Sequence, residues 1–135
     1  MKCRLIEFKQ IDEEDGSLVF LEGMCEVPFA MKRVFYIFHN PKEAVRADHA
    51  NKNTDFVLIA VHGSVKVEVD DGIKKQTFLL NTPNQGLYIP HMTWMRTSDF
   101  KDEAVLLALA SEKYEKNQYY EDYEEFLKVK AEGNH

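Results

Sequence analysis

The sequence has little of what would mark an unusual class of protein. Its 135 residues include only six glycines and four prolines, which excludes a low-complexity chain. Its two cysteines, Cys3 and Cys25, are too few for a disulfide-stapled scaffold and lack CxxC spacing, so both are predicted to be free thiols. No mostly apolar stretch, residues 56–61 among them, approaches the roughly 20 residues of a membrane span, and the amino terminus leads into no signal-like apolar run. We therefore expect a cytoplasmic protein without a membrane anchor.

Basic residues are also scarce. The chain has 17 Lys and Arg against 23 Asp and Glu, a formal net charge of −6. This balance argues against nucleic acid as the main partner, because binding a phosphate backbone needs a clustered basic surface. With 44% hydrophobic and 30% charged residues, the composition is typical of a soluble globular protein, and the length predicts one domain over residues 1–135.

Short strands separated by turn residues account for most of the chain. Residues 65–69 alternate apolar and charged side chains with period two, which predicts a strand with one face in a core. Asp71-Gly72 then predicts a two-residue hairpin turn, with residues 73–80 returning. Residues 56–61 are apolar at every position, as in a strand buried on both faces. Further strands are predicted over residues 17–21, 32–38, 87–89, 93–97 and 105–109. The last of these segments also contains good helix formers, but it is short and lies between turn-like residues.

Only the carboxy-terminal segment, residues 118–130, has a helical pattern. Its apolar side chains are spaced by three and four, with acidic residues on the opposite face: Tyr119, Tyr123, Phe126 and Leu127. The predicted architecture is therefore all-β with a carboxy-terminal helix, a small sandwich or double-stranded barrel of the jelly-roll or cupin type.

The segment 46–53 is the most unusual one, because it concentrates polar groups between two apolar strands. If it is extended, period-two alternation places His49 and Asn51 on one face with Asp55, while Asp48 and Lys52 point the other way. A polar face at the lip of a barrel is a candidate active site. The alternative is a solvated surface loop.

Metal-binding cupins carry His-x-His-x-x-x-Glu followed later by another His, and this chain departs from that pattern. His49 matches the first histidine and Asp55 the carboxylate, but Asn51 and Met95 occupy the other two positions. An amide and a thioether are poor ligands for a divalent first-row metal. We therefore predict no catalytic metal and expect His49 to act through its proton, as a general base with an ordinary pKa near 6.5.

Two further groups of residues could bind a ligand. Tyr88, with Trp94, could wall a cleft in which a flat base stacks, although core packing would use the same aromatic residues. Arg33, Arg46 and Lys52 could bind phosphate oxygens, although they could equally be surface charge.

Many short segments occur together in one order: 16–18, 28–29, 32–36, 46–52, 63–64, 70–72, 86–90, Trp94, 99–100, 110–112 and 122–126. In this the chain resembles the nucleoside-diphosphate-sugar 3,4-ketoisomerases, small cupin enzymes that convert dTDP-4-oxo-6-deoxyglucose into its 3-oxo isomer in deoxyamino-sugar biosynthesis. That family usually has Arg-Gly-x-His-Ala-His-Lys, with both histidines over the sugar. Here His49 matches the first histidine, Asn51 replaces the second, Ala47 replaces the glycine, and Met95-Arg96 replaces a common His-Glu or Arg-Glu pair.

The resemblance implies a reaction through an enediolate, without a cofactor. In it His49 would be the base, Tyr36 and Arg46 would polarise or protonate the sugar oxygens, and Asn51 would hydrogen-bond the enediolate without shuttling a proton. The substrate-binding residues that it implies are Arg33, Lys52, Tyr88, Trp94 and Arg96. It also implies a homodimer that exchanges amino-terminal strands, for which residues 5–8 could serve.

Two other functions stay open at this stage. Asn51 is compatible with a catalytically silent cupin that binds a nucleotide sugar. A nucleotide-sugar 3,5-epimerase also removes protons beside a C4 ketone, but the His/Asp and Tyr arrangement that it resembles is not evident in the sequence.

Overall fold

The computed structural model describes residues 2–133 and contains ten strands and one helix in that range. The elements are β1 (Arg4–Glu7), β2 (Ile11–Glu13), β3 (Gly16–Leu18), β4 (Arg33–Ile37), β5 (Arg46–Asn51), β6 (Phe56–Asp70), β7 (Lys75–Leu80), β8 (Gln85–Ile89), β9 (Trp94–Ala110), β10 (Tyr119–Tyr120) and α1 (Tyr123–Gly133). The predicted all-β jelly-roll class is confirmed. Within this range no helix has the length and apolar character needed to cross a bilayer.

One antiparallel sheet contains all the strands except a small hairpin. Its order is β1-β8-β6-β9-β5-β10, with β4 pairing β9 and β7 pairing β6, while β2 and β3 pair with each other. The two longest strands, β6 and β9, pair along nearly their whole length. Every other strand of the large sheet attaches to them directly or through one neighbour, so this pair forms the centre of the barrel.

Strands β6 and β9 each join two segments that the sequence pattern predicts separately. The pairing between them shifts register at residues 60–66, and such bulges bend a long strand around a corner. Gly63 lies at this corner with φ of 70°, where a Cβ would come 2.3 Å from the Lys101 carbonyl oxygen. The corner therefore requires glycine, and the strands predicted over residues 56–61 and 65–69 are one continuous strand that bends at Gly63.

Two separate cores form on the two faces of β6, as the uniformly apolar residues 56–61 predict. Phe56 and Leu58 belong to the cluster inside the barrel. Val57 and Ile59 belong to a second cluster, which the amino-terminal segment covers with Phe29. Because successive side chains of a strand point to opposite faces, a strand between two cores must be apolar throughout.

Two local predictions are wrong. The β6–β7 loop has four residues, because Asp70 pairs with Lys75 and the Asp71 carboxylate accepts hydrogen bonds from the backbone N–H groups of Ile73 and Lys74. The helix begins at Tyr123, five residues later than predicted. Asp122 caps it by accepting hydrogen bonds from two first-turn N–H groups, and the preceding pair of tyrosines forms β10.

Candidate active site

A β-bulge in β5 determines which polar side chains face the barrel interior. Ala47 pairs with Arg96 and His49 with Met95, so Asp48 is the extra residue. Ala47 and Asp48 both have positive φ, 69° and 52°, a conformation that costs a non-glycine residue about 1–2 kcal/mol. The Thr97 hydroxyl donates to the Arg46 carbonyl at 3.0 Å beside the bulge. As a result Arg46, Ala47 and His49 all line one cavity.

This cavity, of about 400 Å³, is lined by residues of β4, β5, β6 and β9. Its floor is apolar and continuous with the barrel core, with Ile37, Leu58 and Leu106 among its lining residues. The polar side chains that line it are those of Arg33, Arg46, His49, Thr97 and two tyrosines. A small molecule with a polar and an apolar part would be oriented by such a lining.

His49 is half-buried at the mouth of the cavity. Burial lowers its pKa below the ordinary value of 6.5, while the backbone of Ala47 and the carboxylates of Glu121 and Asp48 oppose this effect. The ring of Tyr119 packs edge-on against the imidazole with their centroids 4.6 Å apart. His49 is therefore mainly neutral at neutral pH, the state required of a general base.

The Arg33 guanidinium is held among aromatic rings at the same mouth. Its Cζ lies 5.4–5.8 Å from the ring centroids of Phe35, Phe56 and Tyr114. Tyr114 in turn packs against Tyr119. The mouth is thus a rim of aromatic rings that surrounds one imidazole and one guanidinium.

Asn51 lies two residues beyond His49 on the same face of β5, and its side chain is almost completely buried. Neither its amide nitrogen nor its oxygen has a hydrogen-bond partner in the described structure. An unpaired buried amide costs about 1–3 kcal/mol. Asn51 is not among the residues that line the cavity, so its unpaired amide lies beside His49 without forming part of the cavity wall.

Two of the predicted site residues lie away from the cavity. Tyr36 points outward from β4, is 61% exposed and stacks on Phe38, because it alternates with the inward-facing Phe35. Tyr88 is fully buried in the second core, tilted against Phe29. The structure does not bring either phenol to His49.

Trp94 and Arg96 also lie outside the barrel, on the side of β9 that faces α1. The Trp94 indole donates to Asp48 at 3.1 Å and packs on Phe126, while Arg96 pairs with Glu68 at 3.3 Å. Each thus has a structural partner. The Lys52 ammonium is 4.8 Å from the ring centroid of Tyr120. Lys52 lines an outer groove. His49 and Tyr119 line both this outer groove and the cavity.

The donor atoms around His49 do not form a metal site. Asp55, at the predicted carboxylate position, accepts hydrogen bonds from His91 and is not among the residues that line the cavity. Met95 is buried and lines the cavity with a thioether. Within residues 2–133, no three His, Cys, Asp or Glu side chains are grouped so that they could hold a metal ion.

Sequence reasoning missed the aromatic rim. The sequence does not single out Phe35, because the hydroxyl of the neighbouring Tyr36 suggests a chemical role for that residue instead. The sequence pattern also predicts Tyr119 within the helix. The Asp122-x-x-Glu125 spacing is a helix-start signature that could have excluded Tyr119 from α1. No local signal identifies Tyr114, because its place depends on its tertiary contacts with Tyr119 and Arg33.

The fold and the site define a small cupin with a barrel cavity that holds a single histidine. The chain belongs to the family described as FdtA: WxcM-like, C-terminal, whose family model matches residues 1–131. It is 38% identical over 134 residues to the TDP-4-oxo-6-deoxy-alpha-D-glucose-3,4-oxoisomerase of Aneurinibacillus thermoaerophilus, covering 99% of this chain and 96% of that protein.

Solved structures give the same result. A 3,4-ketoisomerase from Helicobacter canadensis superposes with a TM-score of 0.93 at 37% identity, covering 97% of this chain and 98% of that one. The sugar 3,4-ketoisomerase QdtA from Thermoanaerobacterium thermosaccharolyticum, solved with TDP, superposes with a TM-score of 0.94 at 35% identity, covering 99% and 98%. A variant of QdtA with one histidine replaced by asparagine was solved with TDP-4-keto-6-deoxyglucose.

Proposed function

We propose that this protein is a nucleotide-sugar 3,4-ketoisomerase that converts dTDP-4-oxo-6-deoxyglucose to a dTDP-3-oxo-6-deoxyhexose in deoxysugar biosynthesis. The observation that carries the proposal is a half-buried histidine with a lowered pKa, beside an arginine, in a cavity with an apolar floor. A protein of this family with that site can hold a 6-deoxy sugar with its methyl group on the apolar floor and its oxygens near His49 and Arg46.

The reaction needs one base and a group that stabilises negative charge. His49 removes the C3 proton, which the adjacent C4 ketone acidifies, and the electron pair moves through C4 to O4 to form an enediolate. The proton then returns from His49 to C4, the O3 hydroxyl passes its proton to O4, and the electron pair of the O3–H bond completes the C3 carbonyl. Arg46, which lines the same cavity, donates hydrogen bonds to the charged oxygen.

Asn51 supplies the second polar group. Its unpaired amide can donate to an enediolate oxygen, but it cannot exchange a proton at neutral pH. One base on one face of the planar enediolate is then sufficient for both proton transfers.

Arg33 and Lys52 are the groups that we propose bind the diphosphate, because both carry positive charge at the entrance. The exposed ring of Tyr114 offers a stacking surface for the base. Tyr36, Tyr88, Trp94 and Arg96 have no part in this proposal, since their side chains lie elsewhere.

The decisive experiment follows hydrogen exchange and isomerisation together. The protein is incubated with dTDP-4-oxo-6-deoxyglucose in heavy water, and NMR follows deuterium at C3, C4 and C5. A ketoisomerase gives the 3-oxo product, with deuterium at C4 to the extent that the proton on His49 exchanges with solvent before it returns. Deuterium at C5 would indicate a 3,5-epimerase.

A second candidate function is a silent cupin that binds the nucleotide sugar without turnover. Asn51 is the observation that favours it, because the amide replaces a residue that could exchange a proton. In that case the same experiment gives binding by chemical-shift perturbation, no deuterium at C3, and exchange only after Asn51→His.

We also propose that two copies associate, in the cytoplasm, through the outer face of β4. Val34, Tyr36 and Phe38 form a row of side chains there that are 57%, 61% and 50% exposed, and a large apolar patch on a soluble protein is typical of an interface. Light scattering should give a dimer at micromolar concentration, and Val34→Lys should weaken it. Leu79→Lys, at a β7 position that is also 57% exposed, is the matched control. A monomeric protein would contradict the proposal.

Exchange of amino-terminal strands can be tested at one residue pair. Glu7 and Gln85 face each other across β1 and β8 of the same chain in this structure. We propose that the dimer forms the same pair between chains. With Cys3 and Cys25 changed to serine, a Glu7→Cys/Gln85→Cys disulfide should link two chains on a denaturing gel. A disulfide within one chain would exclude exchange.

A further inference from the structure

Tyr119 occupies a position that no nearby sequence pattern explains. Strand β10 has only two residues, and it pairs with β5 so that Tyr119 lies opposite Asn51 and Tyr120 opposite Ala50. Residues directly opposite each other share a face of the sheet. Tyr119 therefore lies on the face that carries Asn51 and His49, and Tyr120 lies on the other.

The Tyr119 ring packs against the imidazole where the cavity and the outer groove meet. It meets His49 at an interplanar angle of 66°, with the centroids 4.6 Å apart, and it lines both the cavity and the outer groove. The ring is itself held by Tyr114 and by the backbone hydrogen bond from Lys52 to Gln118. The packing of Tyr114 and the backbone hydrogen bond at Gln118 thus both hold Tyr119 in contact with His49.

We propose that Tyr119 is a positioning residue that holds the His49 imidazole in one orientation and covers its edge, so that the base faces the substrate rather than water. The proposal rests on the proposed function and deepens it. Tyr119 acts through its ring and not through its hydroxyl. The aromatic contact restrains rotation of the imidazole, and the ring excludes water from one edge of it.

The electrostatic surroundings of His49 support this assignment. Loss of solvent is the largest influence on its pKa and lowers it. On the cavity side, the charged groups are Arg33 and Arg46. On the groove side, the charged or titratable groups are Tyr114, together with Asp48, Lys52, Lys116, Glu121, Asp122 and Glu125. The Ala47 backbone and the carboxylates of Glu121 and Asp48 oppose this shift, so burial is the influence that a substitution of Tyr119 would change.

The pKa of His49 can be measured without substrate. We would titrate the imidazole by NMR in the full chain and assign its signal by its loss in His49→Gln. Tyr119→Phe keeps the ring and should leave this pKa unchanged. Tyr119→Ala admits water and should raise it toward 6.5, and Tyr119→Leu should give a smaller rise. Tyr120→Ala, in the same strand but facing away, should leave it unchanged.

The effects of these variants on the kinetics should follow the same order as their effects on the pKa of His49. In Tyr119→Ala the acid limb of kcat/KM moves to higher pH, because more His49 is protonated at a given pH. We expect kcat at the pH optimum to fall about ten- to a hundredfold, on the scale of a misplaced catalytic group. Tyr119→Phe should retain the wild-type profile. A merely structural tyrosine would lower stability without moving the acid limb.

The outcomes separate this proposal from the one on which it rests. If Tyr119→Ala folds and leaves the His49 pKa unchanged, the positioning role is wrong even when the protein is an active ketoisomerase. If Tyr119→Ala does not fold, Tyr119→Leu decides in the same way. If Tyr119→Phe loses as much activity as Tyr119→Ala, the hydroxyl takes part in chemistry and our assignment is overturned. If no variant isomerises the sugar, the titration still tests the contact.

Discussion

The two faces of the β5–β9 pair differ in how their polar side chains are used. On the outer face, Asp48 accepts from Trp94 and Arg96 pairs with Glu68. On the inner face, the buried polar atoms of Asn51 have no partner in the described structure, and the His49 imidazole packs against the Tyr119 ring. The polar groups of the outer face are paired with one another, whereas the inner face leaves an unpaired amide next to a histidine that lines the cavity.

The largest expected effect is at His49. His49→Gln should leave the fold intact and reduce turnover by about 10²–10⁴-fold, the usual contribution of a general base. The adjacent Asp48→Asn is the matched control, because asparagine tolerates positive φ and can still accept from Trp94. We expect it to keep the wild-type rate. Product formation from dTDP-4-oxo-6-deoxyglucose, followed by NMR, measures both. More than about a tenth of the wild-type rate in His49→Gln would place the base elsewhere.

The next effect should be at Asn51. Asn51→Ala should slow turnover by about ten- to a thousandfold, as the loss of an oxyanion donor does. It should not lower the free energy of unfolding by the loss of a hydrogen bond, since the amide makes none in the described structure. Asn51→His should remain active and can alter the C4 configuration by supplying a proton from a new position. A silent natural protein that Asn51→His activates would instead support the binding function.

A substitution on the outer face should lower stability and leave turnover unchanged. Tyr123 donates a short hydrogen bond to the buried Asp70, which raises the pKa of Tyr123 to about 12. Tyr123→Phe removes one of the two hydrogen bonds that this carboxylate accepts, the other being from the Gly72 N–H, so the free energy of unfolding should fall by about 1–3 kcal/mol. Urea denaturation measures this, and turnover at 25 °C should not change. A loss of turnover without a loss of stability would mean that the outer face takes part in the reaction.

The smallest expected effect is that of metal removal. Exhaustive chelation should leave turnover unchanged, because Asn51 and Met95 provide an amide and a thioether where metallocupins have imidazoles. Loss of activity on chelation, with recovery on adding one metal, would contradict this.

Much of the fold follows from local patterns, and the site follows only in part. The apolar run at 56–61 predicts a strand between two cores, which the structure confirms. Three of the predicted site residues, His49, Arg33 and Arg46, line the same cavity. Tyr88 and Trp94, predicted to wall a cleft for a flat base, instead pack in the second core and against α1, because the sequence does not show which face of a strand contains the cavity. The bulge at Asp48 depends on pairing with β9, some 50 residues away, which no local pattern records.

The pairing of β10 with β5 has a consequence for self-association. Without β10, the backbone N–H and C=O groups of Ala50 and Asn51 would be an open sheet edge, and such edges recruit strands from other molecules. Only two residues cover this edge. A chain that ends before Tyr119 would therefore expose a template for aggregation beside its own cavity, so the segment that covers His49 also protects the protein from polymerising.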